Sequence, residues 1–260
     1  MIRFEKYHGT GNDFILIEPP STDASLVAKR LCDRHFGIGA DGLMIPYPSD
    51  IADIRMEYYN SDGSPAPMCG NGLRCFVKYC LNHGYLPKGP VTVETLAGVI
   101  DVDAQEDIIS LNLNRPKFDL DENMVIDPDS VIIDGITLHT VFLGTLHAIV
   151  IQDKTMDIRQ LGEKLSYHPR FPQAINVNFI EVIDRSTIKV ITHERGAGWT
   201  LSCGTGSAAS AVIAHRLQLT DPDVTVEVQG GHLQVHVGED VILSGPAVKI
   251  ASGYFEGEGL

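Results

Sequence analysis

The sequence predicts a mixed α/β protein of two pseudo-symmetric domains produced by internal duplication, each a strand-rich sheet wrapped around a central helix. Three recurrences carry this prediction. Cys69 in "PMCGNGLRC" and Cys203 in "LSCGTGSAA" stand 134 positions apart, each directly before Gly-x-Gly, and the strand-like stretches "IRMEYYN" and "IKVITHE" precede them at the same offset. "VTVETLAGVIDV" and "VTVEVQGGHLQV" repeat at an offset of 133, and "HGTGNDFILI" and "FLGTLHAIVI" share Gly-Thr before an apolar strand at about 135. Self-similarity at one spacing is the mark of a repeated structural unit.

Each unit reads in the same order. A strand beginning near Ile2, or near Leu138 in the second copy, leads to an amphipathic helix. In the first copy this is "TDASLVAKRLCDRHFG", with Leu26, Val27, Leu31 and Cys32 on its apolar face and Gly37 as its stop; "MDIRQLGEKLSYH" takes its place in the second. Further strands lead to the Cys-Gly-x-Gly turn and a second helix, Gly72 to His83 and Gly206 to Leu217. "SAASAVIA" is so apolar and small that this helix must be buried inside its unit. A strand pair built on the VTVE segments follows. The boundary is expected at Asn114 to Pro116, giving domains 1–114 and 115–249 with a cleft between them for the active site. The acidic "DLDENMVIDPD" is then an exposed connection, and a C-terminal strand at 250–260 returns to the first domain.

Composition limits the function. The 260 residues carry a net charge of −14, which repels phosphate backbones and anionic lipid, so neither nucleic acid nor membrane is an expected partner. No apolar run reaches membrane-spanning length and no export leader is evident, so a soluble, cytoplasmic protein is expected. Five cysteines are an odd number for a disulfide framework, and Cys69, Cys75 and Cys80 lack C-x2-C spacing, so no metal site is expected.

Cys32, Cys75 and Cys80 fall at apolar helical positions and read as small buried hydrophobes. Cys69 and Cys203 stand instead at loop-to-helix junctions beside glycine, where a helix N-terminus favours a thiolate and unpaired N–H groups attract an anion. Two thiols on opposite faces of one carbon can act as base and acid and invert it. Backbone N–H groups of Gly70 and Asn71, and of Gly204 and Thr205, would stabilise the carbanion through its carboxylate. This chemistry needs no cofactor and takes a small-molecule amino acid. The alternative of another class is a non-enzymatic anion-binding module built on the two helix N-termini.

"HGTGNDF", "RHFGIGADG", "YYNSDGSPAPMCGNGLRC", "NVNF", "HERGAG" and "SCGTGSAA" resemble, in order and over nearly the whole chain, the signatures of the diaminopimelate epimerases and related cofactor-independent amino-acid racemases. The resemblance implies that family's two-domain fold, a homodimer, and Cys69 and Cys203 as acid and base. It also implies Asn12, Asn60, Asn176, Glu194 and Arg195 as substrate-binding residues, and His147 near the substrate. Arg195 suits a second carboxylate, which its planar fork binds bidentately.

Two departures bear on specificity. Gly144-Thr145-Leu146-His147 stands where the family typically reads Gly-Asn-Pro-His, and Trp199 stands where it reads Glu. Trp199 either fills a gap or offers an aromatic wall to a flat side chain. These changes favour another amino acid, histidine foremost, with diaminopimelate as the alternative. Hydroxyproline dehydratases and phenazine-type isomerases fit poorly, because both cysteines are present.

Overall fold

The computed structural model describes residues 1–126, 131–153 and 156–257. The chain divides into two compact units, one of residues 1–111 with 245–260 and one of residues 112–244.

In the first unit β1 (Ile2–Gly9) and β2 (Asn12–Leu16) form a hairpin, and α1 (Ala24–Cys32) crosses from β2 to its parallel neighbour β3 (Gly42–Tyr47). β4 (Ile54–Asn60) returns antiparallel, and α2 (Gly70–His83) crosses to β5 (Gly89–Thr95), which pairs parallel with β4. β6 (Gly98–Ala104) and β7 (Ile109–Asn112) continue antiparallel. Parallel neighbours cannot be joined by a tight turn, so a helix occurs at each such step.

The second unit repeats this order. β8 (Val131–Ile133), β9 (Ile136–Leu143) and β10 (Thr145–Ile151) run antiparallel, and α3 (Ile158–Ser166) leads to the parallel β11 (Asn176–Asp184). β12 (Thr187–Glu194) pairs antiparallel with β11 and with the short β13 (Gly198–Thr200). Then α4 (Gly204–Arg216) leads to β14 (Asp223–Val228), parallel to β12, followed by β15 (Gly231–Val237) and β16 (Val241–Gly245). The chain ends with β17 (Val248–Phe255), antiparallel to β1. The expectation of a strand running to 260 extends past the described residues, which stop at 257.

Each unit holds one helix inside its sheet. α2 packs on β1, β2, β3 and β6, and α4 on β9, β10, β11, β12, β14 and β15, so the strands curl around them. Residues Gly204 and Gly206 to Ala214 of α4 are all buried, as small side chains permit a helix to lie close against strands on several sides. The second glycine of each Cys-Gly-x-Gly turn makes that approach possible. A methyl group on Gly72 would collide with Met44, and one on Gly206 with Asn178 Oδ1.

Four local expectations are corrected. α1 ends at Cys32, not at Gly37, because the Asp33 carboxylate accepts the N–H groups of His35 and Phe36 and turns the chain. Leu26 is 60% exposed, and Ala28 joins Val27, Leu31 and Cys32 on the buried face. Both central helices start two residues earlier than their periodicity suggested, at Gly70 and Gly204. The acidic segment after Pro116 buries Leu120 and Val125 in a core with Leu146, Leu165, Val177 and Phe179, so it is part of the second unit; its residues 127–129 lie outside the described residues.

Candidate active site

Cys69 is the N-cap of α2, in extended conformation, and its side chain does not cap the helix. The thiol is half-buried and lies 3.4 Å from Asn12 Oδ1. That oxygen also accepts from Asn71 Nδ2 at 3.4 Å, while Asn12 Nδ2 donates to Asp41. Asn12 therefore sits at the start of β2 with its amide orientation fixed on both sides. Asn60 closes β4, where its Nδ2 donates to Ser64 Oγ at 3.0 Å in the turn that follows. Cys69, Gly70, Asn71 and Asn12 thus meet at one corner of the first unit, whereas the Asn60 side chain is engaged in its own turn.

Arg74 was not singled out by sequence reasoning. It is fully buried one turn into α2, and its guanidinium donates to Asn71 Oδ1 at 3.0 Å, Gly70 O at 3.3 Å and Pro246 O at 3.4 Å.

In the second unit Cys203 is the N-cap of α4, again extended and without a side-chain cap, and it is buried at 6% exposure. Its sulfur lies 3.7 Å from Thr205 Oγ1. The first-turn N–H groups of an α-helix have no intrahelical acceptor, so α2 and α4 each present such donors beside a thiol.

A polar file runs beneath the start of α4. Thr192 Oγ1 donates to Asn178 Oδ1 at 2.9 Å, and Asn178 Nδ2 donates to Ala148 O at 3.3 Å. The amide orientation is thereby set, and its nitrogen, 3.2 Å from His147 Nδ1, donates to that ring. Nδ1 is then an acceptor and Nε2 carries the proton. Burial, with Arg195 nearby, pushes the His147 pKa down to about 3, so the ring is a neutral donor. Asn178 was also missed, although "NVNF" places it on the same strand face as Asn176.

Asn176, Arg195 and Thr145 form a second group. Asn176 Nδ2 donates to Leu146 O at 3.3 Å, and its Oδ1 accepts the Arg195 backbone N–H at 3.0 Å. The exposed Arg195 guanidinium donates to Gln173 O at 3.0 Å, Ala174 O at 3.4 Å and Thr145 Oγ1 at 3.4 Å. All three acceptors are neutral. Among the described residues no carboxylate offsets this cation. Glu194 Oε1 accepts from Thr200 Oγ1 at 2.7 Å.

The other two departures lie on the opposite strand face. Trp199 pairs across the ladder with His193, and the two rings meet edge to face at 5.1 Å. Its indole packs beside Phe179 and fills the space left by Gly162 of α3, where any Cβ would collide with it. Leu146 is 4% exposed in the same core. Of the two roles left open for Trp199 it takes the gap-filling one, because strand alternation sends residue 199 toward α3 and away from Asn178 and α4. Leu146 likewise contributes packing, so Thr145 alone of the three faces Arg195.

The remaining cysteines are buried. Burial pushes the Cys32 thiol up to about 12 and raises those of Cys75 and Cys80 further, so they remain protonated. Among the described residues no group of three or more His, Cys, Asp or Glu is placed to hold a metal ion, and no helix is long and apolar enough to cross a membrane.

A family model described as diaminopimelate epimerase matches residues 4–117 and 140–250. The chain belongs to the diaminopimelate epimerase family. Two relatives, both named diaminopimelate epimerase, are those of Alkaliphilus metalliredigens (42% identical over 276 residues, covering 98% of this chain and 97% of the relative) and Caldanaerobacter subterraneus subsp. tengcongensis (42% over 273 residues, 98% and 100%). Among solved structures, a phenazine biosynthesis protein of the PhzF family from Bacillus anthracis shares the fold, with a TM-score of 0.73 at 17% identity over 97% of this chain and 98% of that one. As a member of the diaminopimelate epimerase family, the protein is an isomerase, an epimerase that works without a cofactor.

Proposed function

We propose that the protein is a diaminopimelate epimerase, interconverting LL- and meso-diaminopimelate, with Cys69 and Cys203 as the proton-transfer pair. The observation that carries the substrate is the Arg195 guanidinium, held among the described residues only by neutral oxygens, beside Asn176 and Thr145. This guanidinium is exposed and open to a ligand, and a bidentate pair with a carboxylate is its strongest hydrogen-bonded arrangement. Diaminopimelate has a second carboxylate to offer and histidine has none. The expectation of histidine rested on Thr145, Leu146 and Trp199; Leu146 is a core residue, Trp199 packs against the same core, and relatives at 42% identity carry the diaminopimelate name. The substrate reading therefore moves to the alternative.

In the proposed reaction one cysteine thiolate removes the α-proton and becomes a thiol. The electron pair left on carbon is delocalised into the adjacent carboxylate, whose charge is met by first-turn N–H groups at Gly70, Asn71, Gly204 and Thr205. The other cysteine, a thiol, gives its proton to the opposite face and becomes the thiolate. The centre is inverted, and the pair has exchanged roles for the reverse reaction. Asn12, Asn176, Glu194 and Arg195 bind the substrate in this reading, and His147 supplies a neutral N–H.

The proposal extends to a homodimer in the cytoplasm, which sedimentation and fractionation test. The substrate is tested by a chiral assay of LL-diaminopimelate against L-histidine. Inversion of diaminopimelate with no D-histidine formed is expected; the reverse preference overturns the reading.

A further inference from the structure

Arg195 stands in a turn built on glycine. Between β12 and β13, Ala197 N–H donates to Glu194 O at 3.2 Å, and Gly196 takes a φ of 83° while Arg195 keeps a negative one. That is the pattern of a type II turn with Arg195 and Gly196 as its central residues. Gly198 follows at a φ of 74°. Such a turn has two weaknesses as a mount for a binding group. Glycine leaves its backbone permissive, and the N–H of its second central residue has no acceptor within the turn.

Both peptides that flank the Arg195 Cα are nevertheless tied. The N–H before it, that of Arg195 itself, donates to Asn176 Oδ1 at 3.0 Å. The N–H after it, that of Gly196, donates to Tyr167 Oη at 3.0 Å. Holding the first planar peptide restrains φ of Arg195 and holding the second restrains ψ, so together they fix the direction of its Cα–Cβ bond. Because Arg195 is exposed, its aim depends on these two bonds and on the three oxygens that its guanidinium reaches.

Tyr167 is placed for this by the end of α3. It is the C-cap residue of that helix, and its N–H donates to Glu163 O at 3.2 Å. The segment that follows is closed by Ser166 and Ile175: Ile175 N–H donates to Ser166 O at 2.9 Å, and Ser166 Oγ donates to Ile175 O at 2.6 Å. The same segment presents Gln173 O and Ala174 O to the guanidinium, and Ala174 does so from a left-handed φ of 56°, which residues with a side chain rarely adopt. One loop thus holds Arg195 at both ends, by Tyr167 at its backbone and by two carbonyls at its head. At 55% exposure Tyr167 would ordinarily be a surface ring, yet its hydroxyl is engaged by the central N–H of this turn.

We infer that Tyr167 is a positioning residue for substrate recognition, its hydroxyl locking the peptide after Arg195 so that the guanidinium is aimed before a distal carboxylate arrives. This rests on the proposed role of Arg195. It adds to the recognition of a dicarboxylic substrate a residue that does not itself belong to the binding set. Preorganising a flexible side chain lowers the ordering cost of binding, and Tyr167→Phe removes that contribution while keeping the ring.

The test is a double-mutant cycle on the full chain, with steady-state kcat/KM for LL-diaminopimelate measured for wild type, Tyr167→Phe, Arg195→Met and both together. Tyr167→Phe is expected to lower kcat/KM about three- to tenfold, the size of one lost hydrogen bond, with the melting temperature nearly unchanged. In the Arg195→Met background the same change should have almost no effect, because its target is gone. A structural role independent of Arg195 gives the same factor in both backgrounds. That result overturns the inference, as does wild-type kcat/KM in Tyr167→Phe. Wild-type kcat/KM in Arg195→Met overturns the role of Arg195 and the inference with it, whereas a fall in Arg195→Met alone overturns only the inference. Amide exchange followed by NMR gives a second measurement that needs neither variant nor substrate. Gly196 N–H should exchange more slowly than an unprotected amide, and exchange at the unprotected rate overturns the inference.

Discussion

Asn178 donates its side-chain N–H to His147 Nδ1 across 3.2 Å, and this contact fixes a buried histidine as a neutral donor. Folded His147 has a pKa of about 3, whereas an unfolded histidine titrates near 6.5. Between these values the unfolded chain binds the extra proton, so stability is present above about pH 6.5 and is lost as pH falls. From pH 6.5 to 5 the loss attributable to this group is about 2 kcal/mol. Urea melts of wild type and His147→Gln across that range should converge by roughly this amount; parallel pH dependences would show that His147 is not held neutral.

Trp199 fills the space over Gly162 and packs half-buried against the core. Trp199→Phe should cost stability, about 1–2 kcal/mol in urea melts, without changing which amino acid is inverted. Gly162→Val should cost about 1–3 kcal/mol by overpacking against the indole. A switch in substrate preference on Trp199→Phe would return this residue to the specificity set.

Arg195 is exposed and, among the described residues, bound only to neutral oxygens, so Arg195→Met should leave the melting temperature nearly unchanged. Removing a charge-assisted contact to the distal carboxylate is worth about 1.5–3 kcal/mol, or about ten- to a hundredfold in kcat/KM for diaminopimelate. Steady-state kinetics beside a thermal melt separate this outcome from a structural defect, which would lower both.

Cys32, Cys75 and Cys80 are buried and held protonated. Iodoacetamide at pH 8 should leave them unlabelled in native protein and modify them only in denaturant. Labelling of Cys75 or Cys80 at the rate of Cys69 would show that α2 is not packed as described.

The repeat made the architecture legible, because three pairs of matching segments report the same element order twice. The Gly-Thr motif hid a hairpin in each unit. Thr10 and Gly11 adopt positive φ angles of 50° and 88°, and Gly144 one of 70°, so what reads as one apolar strand is two. Leu146 and Trp199 looked like specificity residues because they depart from the family pattern. Their facing depends on which strands pair, which a linear sequence does not state. Arg74 gave no signal, since an arginine in a helix is ordinarily a solvated charge. Asn178 was visible in principle, two residues from Asn176 on the same strand face.

The central claim is that two thiols invert one α-carbon of diaminopimelate. Its most direct test incubates LL-diaminopimelate in deuterated water and follows label in substrate and product during the first turnovers, with Cys69→Ala and Cys203→Ala as controls. The account predicts α-deuterium in the meso product, almost none in recovered LL substrate, and no inversion by either variant. Equal early labelling of substrate and product, or inversion that survives loss of one cysteine, would contradict it.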